Sequence, residues 1–395
     1  MSSRMRLKDW SLSAVVAGFV AVLVGFASSV AIVFQAAAAA GADNAVMASW
    51  LLALGIGMAL TCIGLSWYYK APVITAWSTP GAALLATSLQ GLTLAEATGV
   101  FIFTALLGLL IGLSGMFERL TRLIPLPLAS AMLAGILLQF GFAIFSSLQQ
   151  QLLLVGAMCL TYLLAKALLP RYAILAVLVC GLLLVWLGGE LDLSAVKLTL
   201  ATPVWVTPAF SLSTLLGVGL PLLLVTMASQ NIPGVAVLRA SGYQTPVSPL
   251  ISSTALSTLL LAPLGAFSIN LAAITAAICS GNEAHPDSSK RYIAGIAAGL
   301  FYLLFGLAGA TVVALFAAFP TEMVAALAGL ALLGTIAANL QSCTADAEYR
   351  EAAVITLLVT ASGASLFGIA SAFWGLVAGA VTVLTQRLTR RTDGG

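Results

Sequence analysis

The sequence predicts an all-α membrane protein with 14 transmembrane segments, arranged as a 7+7 inverted repeat whose third and tenth helices are broken. Three observations predict it: apolar runs from end to end, basic residues gathered at alternate ends of those runs, and a motif that returns in the second half. Of 395 residues, 61% are hydrophobic and 7% charged, where a soluble domain carries about a quarter charged residues. Roughly 30 Å of hydrocarbon takes about 20 apolar residues per helix; the runs reach that length, so helices rather than a barrel span. No soluble domain is visible.

The breaks between apolar runs place segments at about 11–33, 46–67, 73–88, 96–115, 125–145, 150–168 and 172–189. A second seven follows at about 210–231, 247–263, 266–281, 291–316, 320–340, 351–368 and 370–387. The first run, with Arg4, Arg6 and Lys8 before it and Ala36 to Ala40 after it, also fits a secretory signal. Its length exceeds the usual signal core of about 7–15 residues, so it is read as a membrane helix. The polar stretch Gly188 to Pro208, with Glu190, Asp192 and Lys197, divides residues 1–200 from 201–395.

The halves share words in order. Gly18 with Ala27-Ser28 matches Gly219 with Ala228-Ser229, and Leu133-Ala134-Gly135 matches Leu327-Ala328-Gly329. With a cytoplasmic N-terminus, the inside groups are Arg4, Arg6, Lys8; Lys70; Arg119, Arg122; Lys166, Arg171; Arg239; Lys290, Arg291; Arg350; and Arg387, Arg390, Arg391. That is 15 of the 16 Lys and Arg residues, with Lys197 alone outside, the bias expected of cytoplasmic loops. Both termini are then cytoplasmic. Seven crossings per half make the repeat inverted, an architecture that sets a ligand near the membrane midplane between broken helices.

The returning motif is Ala71-Pro72, Trp77-Ser78, Ala82-Ala83, repeated as Ala262-Pro263, Phe267-Ser268, Ala272-Ala273. Val73-Ile74-Thr75 reads as extended, Ser78 or Thr79 as an N-cap, and Pro80 suits a first helical turn. In the second copy Ser268 reads as the N-cap, followed by Ile269 and Asn270. Two helix openings facing each other favour an anion or an acceptor-rich ring, with no Lys or Arg required at them. Trp77 and Phe267 would hold a flat ring between aromatic faces; packing or interface anchoring is the other reading of Trp77.

The eighth segment ends in Ser229, Gln230 and Asn231 before Pro233-Gly234. Polar side chains in lipid face a bundle interior or cavity, so Gln230 and Asn231 are candidates for substrate hydrogen bonds, or else for tying helices together. Ser28, Ser29 and Gln35 are weaker counterparts in the first segment. The stretch Gly281 to Tyr292, with Glu283, His285 and Asp287, is the densest polar cluster. It reads as a solvated loop, or as a proton-entry element in which one of those three titrates; a Pro-broken loop with one His is a poor metal cage.

Cys62, Cys159, Cys180, Cys279 and Cys343 are scattered without metal-ligand spacing and read as packing residues. No phosphate loop, His-Glu-x-x-His, Gly-x-Ser-x-Gly or paired-Asp motif occurs. No enzyme, cofactor, metal, nucleic-acid partner or ATP drive is therefore expected.

Ala71 to Gly81, Ser229-Gln230-Asn231 with Pro233-Gly234, Pro263 to Asn270, and Asn282-Glu283-Ala284-His285 leading into Arg291-Tyr292 carry a resemblance over nearly the full length. The chain resembles the benzoate:proton symporter (BenE-type) family of bacterial inner-membrane transporters. The resemblance implies a uracil-permease-like fold, with a core of about 11–115 plus 210–316 moving against a gate of about 125–189 plus 320–387. It implies a site between the third and tenth segments, and benzoate imported with a proton. Uracil-type relatives carry acids in the eighth and tenth segments, where this chain has Gln230, Asn231 and Asn270, so the proton carrier stays open among benzoate itself, Glu96, Glu283, His285 and Asp287.

The expected function is therefore proton-coupled import of a small aromatic carboxylate by elevator-like or rocking alternating access. A nucleobase or another small anion, or an uncoupled channel-like permease, are the alternatives. A homodimer is left open, since the small-residue face of Gly295 and Gly299 suits internal and intersubunit packing alike.

Overall fold

The computed structural model describes residues 9–117, 125–189, 196–364, 366–367 and 369–393. Arg4, Arg6, Lys8, Arg119 and Arg122 of the expected inside charge, and Glu190 and Asp192 of the polar divider, lie outside the described residues.

A backbone surrounded by hydrocarbon must bond to itself, and the first half does so in α1 (Leu12–Ala39), α2 (Asn44–Tyr69), β1 (Thr75–Trp77), α3 (Thr79–Ser88), α4 (Leu94–Ser114), α5 (Leu126–Gln150), α6 (Leu152–Leu168) and α7 (Ala173–Leu187). The second half contains α8 (Leu212–Ala240), α9 (Val247–Leu261), β2 (Ile269–Leu271), α10 (Ile274–Ser280), α11 (Tyr292–Leu307), α12 (Gly309–Ala317), α13 (Thr321–Ala345), α14 (Arg350–Ala361) and α15 (Ser371–Asp393). Eight helices among the described residues are long and apolar enough to cross a membrane.

Local chemistry sets the starts. Ser11, Asp43 and Ser78 each accept a hydrogen bond from the backbone N–H three residues on, satisfying donors a helix start leaves orphaned. Thr93 and Glu96 form a reciprocal capping box at the head of α4.

Three boundaries differ from expectation. The expected tenth segment is a strand first: α10 begins at Ile274 after an uncapped Ala273, and Ser268 lies before β2 with φ +39°. Ser268 therefore caps nothing. The eighth segment does not end at Pro233. A π-helical turn over Met227–Asn231 precedes it, and this widening absorbs the ring and missing N–H that would break a regular helix. The eleventh divides at Ala308, whose amide closes α11 onto Leu304 and Gly306.

α1 packs on α11, α3 and α10, α2 on α11, and α4 on α9; α5 packs on α13 and α14, α6 on α7, and α14 on α15. Gly295 and Gly299 face α2 inside the chain, where added Cβ atoms would come within 2.2 Å of Ser66 Oγ and 2.7 Å of Ile63 Cγ1. The described part of the divider and the residue after it lie across helix ends: Ala201, Val206 and Ala209 amides donate to Leu307, Pro263 and Ala95 carbonyls at 2.8–2.9 Å.

The polar stretch between α10 and α11 is largely exposed, as a solvated loop should be, and is anchored from within. Buried Arg291 donates from Nε to the His285 carbonyl (2.7 Å), from one terminal nitrogen to the Ser280 carbonyl (2.8 Å), and from the other to Asn282 Oδ1. Tyr243 donates to the Ser288 carbonyl (2.8 Å), and Tyr292 to Asp9 Oδ2 (2.8 Å) beneath Lys70, whose Nζ lies 4.0 Å from the Tyr292 ring centre. The guanidinium thus ties the end of α10 to its own exit. Arg291→Ala is expected to cost about 3 kcal/mol and to lower Tm by roughly 3–5 °C; Arg291→Lys, lacking the planar fork, recovers less than half. Thermal unfolding in detergent checks both, and an unchanged Tm for Arg291→Ala refutes the clamp.

Candidate functional site

The site is built on two short strands running antiparallel. Thr75 faces Leu271, Ala76 faces Asn270 and Trp77 faces Ile269. The ladder extends at both ends, with the Ser78 amide donating to the Ser268 carbonyl and the Ala272 amide to the Ile74 carbonyl, each 3.0 Å. Pairing satisfies one edge of each strand. Side chains of flanking helices satisfy the other.

On the β1 side, Thr75 N donates to Cys62 Sγ (3.1 Å), its hydroxyl bonds Thr61 Oγ1 (2.6 Å), and Ser66 Oγ both receives from Val73 N and donates to Val73 O at 3.1 Å. On the β2 side, Ile269 N donates to Thr258 Oγ1 and Leu271 N to Asn231 Oδ1, both 3.1 Å. Asn231 Nδ2 meets Met227 Sδ at 3.4 Å. Asn231, proposed from sequence as a substrate ligand, is thus committed to holding β2.

A cavity of about 570 Å³ opens beside the crossing, within the size range of ligand pockets. One wall is Trp77 with Ala76, Thr79 and Pro80; α1 contributes Ser28 and Ser29, and α8 contributes Ser229 and Gln230. Across from these stand α5, α6, α7 and α13, and the lining ends at exposed Lys166 and Pro170 beside the α6–α7 turn. A second cavity of about 360 Å³, reaching Thr87, Ser88 and Gln139, lies at the opposite end of α3.

Trp77 is fixed in place. Its Nε1 donates to Ser29 Oγ (2.9 Å), Ser29 Oγ in turn donates to the Gly25 carbonyl (2.7 Å), and Phe26 meets the indole edge-on at 5.4 Å. Ser28 bonds the Gly25 carbonyl (3.0 Å) and Ser229 the Val225 carbonyl (2.5 Å). The Ser78 hydroxyl accepts from Gly81 N, its carbonyl accepts from Ala82 N, and Pro80 has no N–H. Most donors at the start of α3 are therefore absent or already bonded, with Ser78 as the N-cap and Pro80 in the first turn as the sequence predicts.

Several candidates fall elsewhere. Phe267 is fully buried between Trp50 and Phe101, with centroids at 5.8 and 5.7 Å, and does not face Trp77 across the cavity. The antiparallel register explains it, since Ile269 rather than Phe267 lies opposite Trp77. Gly265 forces this packing: at φ +100°, a Cβ there would sit 1.9 Å from Trp50 Cδ1. Ser268 and Ile269 line a different, small cavity behind the strands. Asn270 is buried, with Nδ2 donating to the Ser268 carbonyl (2.6 Å). Gln35 is half-buried on α1 away from the 570 Å³ cavity.

The proton candidates are also remote from that cavity. Glu96 accepts from the Thr93 amide and hydroxyl (2.9 Å each), and His285 Nδ1 accepts from the Asp287 amide (2.9 Å). Ser289's hydroxyl and amide hold the Asp287 carboxyl below its ordinary value. Glu283 is exposed in the same stretch.

Sequence reasoning missed Lys166, Thr275 and Tyr302, which all line the cavity. Lys166 is the one basic residue in the apolar run of α6, a signal that was spent on topology alone. Thr275, the one polar side chain in the first turn of α10, is buried with Oγ1 lacking a protein partner. Tyr302 gives no signal in its apolar run.

Known proteins now bear on this arrangement. The benzoate membrane transport protein family matches residues 8–385. The chain is 50% identical over 384 residues to the inner membrane protein YdcO of Escherichia coli (strain K12), covering 97% of this chain and 98% of that one. It is 44% identical over 372 residues, 94% of each, to the benzoate membrane transport protein of Acinetobacter baylyi (strain ATCC 33305 / BD413 / ADP1). Its fold is similar to SLC26A9 (TM-score 0.68, 12% identity, 98% of this chain and 67% of that chain) and to the transmembrane domain of a cyanobacterial bicarbonate transporter, BicA (TM-score 0.57, 13% identity, 97% of each). This is a multi-pass inner-membrane transport protein rather than an enzyme, and it belongs to the benzoate membrane transport family.

Proposed function

We propose that the protein imports benzoate or a closely related aromatic carboxylate together with a proton, by alternating access. The observation that carries the reading is the 570 Å³ cavity, whose lining includes both the fixed Trp77 indole and the basic side chain of Lys166. A flat aromatic ring packs on the indole, gaining dispersion and offset or edge contacts. The carboxylate finds the uncapped start of α10, the Thr275 and Tyr302 hydroxyls and the Gln230 amide. Ser28, Ser29 and Ser229 add polarity although their hydroxyl hydrogens are engaged.

The machine behind it is read as fourteen crossings in two inverted halves, 1–200 and 201–395, with both termini cytoplasmic. The strand-then-helix units of β1–α3 and β2–α10, crossing antiparallel, support the inversion. Residues of about 11–115 plus 210–316 form the core, and about 125–189 plus 320–387 the gate; the pairing of α1 with α11 and α5 with α13 supports this division. With the basic residues inside, the Lys166 end faces the cytoplasm, and this conformation is open inward.

Uptake of labelled benzoate into proteoliposomes, with protein-free vesicles as blank because the neutral acid crosses lipid unaided, tests the reading. Accumulation that follows an imposed proton gradient and collapses with a protonophore is expected. Saturable uptake indifferent to the gradient removes the coupling; no saturable uptake removes the substrate.

Two substitutions probe the ends of the cavity. An exposed ion pair contributes at most about 1 kcal/mol, so Lys166→Gln should raise KM for benzoate by up to about fivefold, with Lys166→Arg near wild type. Inhibition by neutral benzamide should not change. Trp77→Leu should weaken aromatic substrates at least about tenfold, judged by competition uptake, because an indole loses both its area and its hydrogen bond to Ser29; equal competition by benzoate before and after would refute ring packing on Trp77.

A further inference from the structure

Ser268 and Asn231 were expected at the substrate and instead border a second, smaller cavity behind β2. That cavity measures about 30 Å³ and is bordered by Thr104, Thr226, Asn231, Thr254, Thr258 and Ser268. By the same measure a water molecule needs roughly 10–15 Å³. Thr226 is 5% exposed and Ser268 7%, and neither hydroxyl oxygen has a protein hydrogen-bond partner.

Two further features converge here. The π-helical turn Met227–Asn231 starts one residue beyond Thr226, and Ser268 holds a left-handed φ of +39° that a residue with a Cβ adopts only when its surroundings fix it. Such turns and strained residues cluster at functional sites.

We infer that this cavity is a binding site for one internal water molecule, shared by the Thr226 and Ser268 hydroxyls. The chemistry of the neighbours selects water over a cation. Thr104, Thr254 and Thr258 donate to the Gly219, Ile251 and Thr254 carbonyls, and Asn231 Oδ1 already accepts from Leu271 N. What is missing is an acceptor for two hydroxyl hydrogens. A water oxygen accepts both and returns its own hydrogens to the free lone pairs of the threonines; a sodium ion would leave both hydroxyl hydrogens without an acceptor. The water would brace, from behind, the strand that leads into the cavity-lining residues Ala272 and Ala273.

Thermal unfolding of the purified protein tests this through the sign of the effect. Each hydroxyl replaced by a methyl group or hydrogen, Thr226→Val or Ser268→Ala, removes one of the water's partners, so each should lower Tm by about 2–4 °C. The double variant should lose clearly less than the sum, because both hydroxyls serve one molecule, and Thr226→Ser, which keeps the hydroxyl and loses only a methyl group, should lose less than Thr226→Val. Ser268→Ala keeps a Cβ at the strained position, so backbone conformation is not the variable. In a dry cavity both substitutions remove an unpartnered buried hydroxyl; a Tm that rises or holds therefore overturns the proposal. A wild-type Tm that depends on sodium replacing potassium assigns the cavity to a cation and also overturns it. Should either variant fail to fold, a high-resolution map of the wild type decides: one peak within hydrogen-bond distance of both oxygens is expected, and none refutes it.

Discussion

A peptide backbone cannot leave a helix inside hydrocarbon without finding partners for its N–H and C=O groups. Every feature of this site follows from that constraint. Two segments of the chain leave the helix side by side, and they solve the problem jointly: three residues of each pair with three of the other, and the Ser78 and Ala272 amides extend the ladder. The outer edges, which would otherwise be open strand edges, are closed by Ser66, Cys62, Thr258 and Asn231 from the neighbouring helices. Much of the polarity of this apolar chain is consumed in making irregular backbone tolerable.

What remains after that satisfaction is what can recognise a ligand. Ser78 closes α3 on itself, and Ser29 fixes Trp77. The start of α10 has no side-chain cap, and Thr275 there has a hydroxyl without a protein partner. The two helix starts are therefore unequal. One lies beside an indole held by Ser29, the other beside a buried hydroxyl without a protein partner.

The polar cluster before α11 shows how a solvated stretch is held in place by one buried side chain. Glu283, His285 and Asp287 read from sequence as part of a solvated loop or as a titrating element; Arg291 organises the segment through carbonyls and Asn282, and the Ser289 hydroxyl and amide hold the Asp287 carboxyl below its ordinary value. A buried cation with neutral oxygen partners at the end of a helix is a structural fastening. Among the described residues that line the 570 Å³ cavity, Lys166 is the charged one, read from sequence as one more inside-facing residue.

The class of the molecule was legible in the sequence. Low charge and long apolar runs dictate membrane helices, and β-branched Val73 to Thr75 before Ser78 and Pro80 dictates a strand turning into a helix, because these are properties of neighbouring residues. The family was legible in the same motifs. Tertiary structure alone decided which side chains meet. A linear match set Phe267 against Trp77, but strands paired antiparallel invert the order of one copy, placing Ile269 opposite Trp77 and sending Phe267 to Trp50 and Phe101. Likewise Asn231 was visible as a polar residue in lipid, but that it answers the Leu271 amide, while Lys166 and Tyr302 reach the cavity, depends on contacts between segments far apart in the chain.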